Sequence, residues 1–229
     1  MKYKEGYKPI LFNTEMVKAI LEGRKTETRR PIKNLGNSLH IDKLLCDWAL
    51  SEEPFIKGSF LFWELQTDVD ASRLFKDKLK YQVGDILYVR EAWTHTCIGC
   101  KLDKGYCSKC GTCPEYFYKA DGLENIKWRP SIHMPKEAAR IFLKVTDVKV
   151  ERLQDITEEG IRAEGISWKK VIQFMQERFI YSEREFPKYE RKLFKNIWDS
   201  IYSKKGYGWD KNPFGFVYKF ERRIKNNDR

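Results

Sequence analysis

The run Arg140-Ile141-Phe142-Leu143-Lys144-Val145-Thr146-Asp147-Val148-Lys149-Val150 constrains the fold more than any other stretch. It is rich in β-branched residues and mostly alternates, so it predicts one long strand. Shorter strand signals are scattered around it, at residues 9–12, 86–93, 116–118 and 214–220. Between the first two lies a helical pattern at 15–22, with Met16, Val17, Ile20 and Leu21 on one face. Thr14 stands where an N-cap is needed, and Gly23 where a helix stops. Further helices are expected at 155–164, 171–179 and 189–202. In the last, Leu193, Phe194, Ile197, Trp198 and Ile201 share a face. Dispersed strands with a few helices predict an α+β fold with a barrel-like sheet.

The chain has 229 residues, enough for one large domain with a core that needs no disulfides. We expect a single domain over 1–229. Residues 34–80 show aromatic contacts but no dominant period, and they are expected to be an insertion. Lys and Arg number 44 against 33 Asp and Glu, which leaves a net charge of +11. That surplus suits a polyanion such as nucleic acid, although it also serves solubility. No stretch approaches the roughly 20 apolar residues of a membrane-spanning helix. The polar start, Met1 to Gly6, lacks a secretory pattern, so a cytoplasmic location is expected. No glycine-rich phosphate loop is present, which disfavours a nucleoside triphosphatase.

In a reducing compartment the six cysteines are free thiols or metal ligands. Five are clustered as Cys97-x2-Cys100-x6-Cys107-x2-Cys110-x2-Cys113. Two Cys-x2-Cys pairs can complete a four-sulfur tetrahedron, and the six residues between them reach roughly 20 Å when extended. Structural zinc is the expected cofactor, held by Cys97, Cys100, Cys107 and Cys110 in a loop insertion at 95–114. Cys113 is the spare or a substitute for Cys110, and His95 a less favoured ligand. Four sulfurs close the shell, so such a metal stabilises a loop and does not activate water. A redox dithiol or a disulfide is the alternative. Cys46 stands alone and reads as a buried small hydrophobe.

The segment Arg24-Lys25-Thr26-Glu27-Thr28-Arg29-Arg30 sets hydroxyls beside cations. In an extended strand Arg24, Thr26, Thr28 and Arg30 share one face, with Lys25, Glu27 and Arg29 on the other. That pattern suits phosphate contacts, or a hydroxyl nucleophile beside an amine base. A solvated strand edge would look the same.

Preceded by Gly23, this segment resembles the signature of the ASCH family, a branch of the PUA-like β-barrel superfamily. Three further stretches agree in order. Residues 83–93 resemble the family's Gly-Asp turn and following strand. Residues 142–148 and then 153–159 resemble its central strand and short helix, and 209–220 resemble the closing strand of phage- and prophage-type members. The resemblance covers about half the chain. It makes 34–80, the cysteine loop and a helical segment at 167–190 insertions on a minimal barrel.

The resemblance implies a groove that recognises nucleobases or RNA, with RNA ahead of DNA as partner. Small members hydrolyse N4-acylated cytidines with a Lys, a Thr and a Glu, which fall here on Lys25, Thr28 and Glu164. A lysine with an ordinary pKa is protonated at neutral pH, so base use requires burial or cationic neighbours such as Arg24 and Arg30. Other members bind RNA, and some act as ribonucleases, so a noncatalytic module and a ribonuclease remain alternatives. Arg24, Thr26, Arg29 and Arg30 are the adjoining binding candidates. Arg90, Glu91 and Trp93 flank the same expected groove, and Trp128-Arg129 offers a ring beside a cation. Trp93 is equally compatible with core packing.

Overall fold

The structure, a computed structural model, describes residues 7–33, 79–95 and 116–223. The chain divides into two compact units. Residues 1–25, 84–144 and 221–229 form the first, and 26–83 and 145–220 the second.

In the first unit, β1 (Tyr7–Leu11) pairs in parallel with β3 (Ile86–Arg90), from Tyr7↔Ile86 to Leu11↔Arg90. Helix α1 (Thr14–Leu21) follows β1. Its N-cap is Asn13, one residue before the expected Thr14. The Asn13 side chain accepts the Met16 N–H at 2.8 Å from an extended backbone, while Thr14 already has helical geometry. Gly23 ends the helix as expected, at φ +76°. The strand expected over 86–93 is interrupted after Arg90. Trp93 and Thr94 form a short β4, which pairs with β5 (Phe117–Tyr118) in a separate ladder. Trp93, Tyr118, Met134, Ala138, Ala139 and Phe142 make a buried cluster there.

The long strand is β6, Phe142–Arg152, shifted two residues from the expected 140–150. Its first residues pair antiparallel with β3, from Tyr88↔Phe142 to Ile86↔Lys144. From Val145 onward it belongs to the second unit. There β7 (Phe214–Arg223) pairs antiparallel with β2 (Glu27–Pro31). Residues 214–218 of β7 are buried without alternation, as in a strand covered on both faces.

Helix α2 (Glu158–Ala163) is capped by Thr157, whose hydroxyl accepts the Gly160 N–H. Helices α3 (Trp168–Gln176) and α4 (Phe186–Tyr202) form a hairpin around Val171, Met175 and Tyr189. Helix α4 starts three residues before the expected Tyr189, because Pro187 is tolerated in a first turn. Phe194 and Trp198 of α4 join Leu153, Ile156, Ile161 and Trp209 in a second buried cluster.

The sheet order is β1-β3-β6-β7-β2. A closed barrel requires every strand to have two neighbours. Among the described residues β1 and β2 each have one, so the sheet is open and the expected barrel is not closed by them. No helix among the described residues is long and apolar enough to cross a membrane. The fold is therefore a mixed α+β arrangement with a five-stranded sheet.

Candidate functional site

The segment 24–30 is divided between a helix cap and a strand. The N–H groups of Arg24 and Lys25 both reach the Ala19 carbonyl, at 2.9 and 3.0 Å, and close the end of α1. Strand β2 begins only at Glu27, so Arg24 does not share a strand face with Thr28 and Arg30. Thr26 is exposed and joins two elements by its backbone. It donates to Ala163 O and accepts from the Phe220 N–H, each at 2.9 Å.

From Glu27 onward the expected two faces are real. On one face the Arg29 guanidinium is buried among three carboxylates. Its Nε lies 2.6 Å from Glu151, its Nη1 3.4 Å from Glu164 and its Nη2 3.4 Å from Glu27. Burial opposes the Arg29 charge, but these carboxylates outweigh it and hold the guanidinium above its ordinary pKa. Lys149 lies 3.3 Å from Glu151 and Lys219 3.9 Å from Glu27, so three cations balance three anions. The Glu164 carboxylate also accepts the Arg29 backbone N–H at 2.6 Å. This expected site residue thus ties the end of α2 to β2 one residue past Thr28.

On the other face, Thr28 stands opposite Tyr218 and Arg30 opposite Phe216. Thr28 is buried. Arg30 donates from Nη1 to the Tyr202 hydroxyl at 2.9 Å. Tyr81 packs edge-on against Tyr218 with ring centroids 5.1 Å apart, and the Lys80 ammonium lies 5.3 Å from the Tyr81 ring. Burial drives the Tyr218 phenol well above its ordinary pKa, despite hydrogen bonds with the backbone at Lys80 and Tyr81. Burial, with the charges of Arg30 and Lys33, pushes the Lys80 ammonium below its usual value.

The remaining expected residues lie in the first unit. Lys25 is 2% exposed, with its ammonium 5.5 Å from the Phe12 ring. Arg24 pairs with Glu22 at 2.6 Å. Arg90 donates to the Met134 carbonyl at 2.8 Å. Glu91 is buried and held by both arms of Arg140, at 2.9 and 3.1 Å. Arg140 also pairs with Asp121 and stacks over Tyr118 at 3.9 Å. Trp93 is a core residue, 4% exposed, whose indole N–H has no acceptor among the described residues. Its backbone bridges to Arg129, whose guanidinium sits 5.5 Å over its ring. Trp128 is half-buried.

Cys46, Cys97, Cys100, Cys107, Cys110 and Cys113 lie outside the described residues, as do His40 and most of 34–80. Among the described residues no group of three or more His, Cys, Asp or Glu side chains is arranged to hold a metal ion. Sequence reasoning missed Glu151, Arg140, Tyr202 and Lys80 as partners of the expected residues. Glu151 is 122 residues from Arg29 and Tyr202 is 172 from Arg30, so no local spacing could have paired them. Comparison with family models, with curated proteins and with solved structures finds no match.

Proposed function

We propose that the protein recognises a nucleobase through the segment Lys25 to Arg30, and that its reaction is hydrolysis of an N4-acyl cytosine-type amide. The observation that carries this reading is the burial of Lys25 and Thr28, each 2% exposed and three positions apart in the chain. A buried, desolvated amine is the environment in which lysine serves as a general base. In the proposed chemistry the Lys25 amine takes the Thr28 hydroxyl proton, and Thr28 Oγ attacks the acyl carbonyl. The C–N bond breaks, the cytosine amine leaves with the proton, and water later hydrolyses the threonyl ester. Glu164, bonded to the Arg29 N–H, supports β2 beside the nucleophile as a positioning residue.

Turnover of N4-acetylcytidine by the full chain tests this, with Lys25→Ala and Thr28→Ala alongside. Loss of turnover in both folded variants supports the reaction, and absence of turnover in folded wild type overturns it. The net charge of +11 favours a second reading, a noncatalytic RNA-binding module or a ribonuclease. Steep loss of oligoribonucleotide affinity with salt, or cleavage of it, without nucleoside turnover would select that reading. The resemblance also supports an ASCH-type PUA-like fold, and structural zinc on Cys97, Cys100, Cys107 and Cys110. One equivalent of zinc in native protein, lost when Cys97→Ser and Cys107→Ser are combined, is the expected result.

A further inference from the structure

The hairpin of α3 and α4 carries a cavity of about 560 Å³ that the proposed reaction does not use. Pockets of roughly 300–1,000 Å³ take small organic ligands. Ile172 and Met175 of α3, Ile180 of the connecting turn and Phe186 of α4 form its apolar walls. Met175, Ile180 and Phe186 also pack in the cluster around Val171 and Tyr189, so the core holds these walls in place. The turn is closed by its backbone. The Ile180 N–H donates to the Met175 carbonyl at 3.1 Å, and the Phe179 N–H to the Gln176 carbonyl at 2.9 Å. This closure sets Phe179 at φ +58°, a conformation in which glycine is the usual residue. Phe179 is 84% exposed, so its ring returns little packing for that strain. Tyr181, which lines the cavity, is 74% exposed.

Of the described residues that line the cavity, Glu183 alone carries a charge. Nearby acids in the hairpin are paired, Glu177 with Arg178 at 3.7 Å and Glu185 with Lys188 at 2.8 Å. The Glu183 carboxylate has no ion pair or hydrogen bond among the described residues, in a chain with a net charge of +11. From this unpaired carboxylate on an apolar cavity we infer that the hairpin binds an organic cation, a ring-bearing apolar body that carries a protonated amine. The body fills the cavity and the amine pairs with Glu183, while the Tyr181 ring adds cation–π attraction. A bare metal ion finds too few oxygen ligands there. A phosphate would meet the charge of Glu183. None of these residues lies in the segment Lys25 to Arg30, so the site stands or falls apart from the proposed reaction.

The test is an amide NMR titration of the folded full chain with tryptamine, its neutral analogue tryptophol and its anionic analogue indole-3-acetate. Tetramethylammonium supplies the charge without the body. Wild type is compared with Glu183→Gln, Glu183→Lys and Ile172→Trp. Tryptamine should shift the amides of Ile180 to Glu183. It should bind at least about threefold more tightly than tryptophol and about tenfold more tightly than indole-3-acetate. Glu183→Gln should erase the advantage of tryptamine over tryptophol, and Glu183→Lys should place indole-3-acetate first. Ile172→Trp, which fills the cavity, should abolish binding of all three indoles. Glu183 is exposed, so its two variants carry the test even where Ile172→Trp does not fold. The cation site is overturned if no indole binds at millimolar concentration, or if tryptamine gains nothing over its neutral or anionic analogue. It is overturned equally if the preference survives in Glu183→Gln, or if folded Ile172→Trp binds the indoles as wild type does. Tetramethylammonium binding as tightly as tryptamine would leave the cavity without a part and overturns the site as well.

Discussion

Gly160 of α2 lies directly beneath the guanidinium of Arg29. A Cβ built on it would stand 2.7 Å from Arg29 Nη2 and 3.1 Å from Ile156 Cγ1. The arginine cannot give way cheaply, because Glu27, Glu151 and Glu164 hold it in place. Replacing glycine by alanine in a helix ordinarily gains about 0.5–1 kcal/mol. Here Gly160→Ala is expected to cost about 1–3 kcal/mol instead, through overpacking. Urea unfolding of the variant decides this, and a gain in stability would show that Arg29 is not confined.

Glu164 has two separable tasks, a backbone hydrogen bond and an ion pair with the same arginine. Glu164→Gln keeps an oxygen for the Arg29 N–H and removes the charge. Glu164→Ala removes both and leaves a buried N–H without an acceptor, at a cost of about 1–3 kcal/mol. The alanine variant should therefore be clearly less stable than the glutamine variant. As a positioning residue, Glu164 should affect turnover far less as Gln than as Ala, with kcat lowered and the pH profile unmoved. A shifted pH profile in Glu164→Gln would mean that this carboxylate itself moves a proton.

The strands and helices were legible wherever a periodic pattern stood alone. The long strand at Phe142–Arg152 and the helix ended by Gly23 are read correctly to within two residues. The break after Arg90 was not legible. Ile86 to Trp93 reads as one strand, and the contacts at the break, Glu91 with Arg140 and Arg90 with Met134, come from 49 and 44 residues away. Register explains the outcome at the site. The alternation of Glu27, Thr28, Arg29 and Arg30 correctly separated two faces. It could not reveal that one face meets three carboxylates and the other a wall of tyrosines. Apart from Glu27 and Tyr81, those partners arrive from β6, α2, α4 and β7, which no spacing within 24–30 encodes.

Tyr118 gives the chain an alkaline limit. Burial pushes its phenol up to about 12, and the nearby charge of Arg140 only partly offsets this. Its hydroxyl donates to the Ala138 carbonyl at 2.6 Å, a bond that exists only in the neutral form. The folded state keeps this proton where the unfolded state, near pH 10, releases it. Stability from this group is complete below pH 10 and falls as pH rises through about 12. Tyr118→Phe should be less stable at neutral pH by about 1 kcal/mol, the usual worth of one hydrogen bond. Its stability should then decline less between pH 10 and 12. Parallel declines in the two proteins would assign the alkaline transition to another group.

Glu91 has the opposite chemistry and the same sign. Burial raises its carboxyl above the ordinary value, and the two Arg140 contacts pull it back only in part. Its folded pKa therefore lies above that of the unfolded chain. The folded state holds a proton that the unfolded state loses, so stability from this group is greatest below about pH 4.5 and is lost as pH rises through the folded pKa. Glu91→Gln removes the titration but also exchanges an ion pair for a neutral contact with Arg140. The wild type should then lose stability relative to Glu91→Gln as pH is raised from 4.5 through the folded pKa. Unfolding in urea at a series of pH values measures this difference directly. A wild type that gains on the variant over that range would show that the attraction of Arg140 exceeds the penalty of burial, and that Glu91 is ionised throughout.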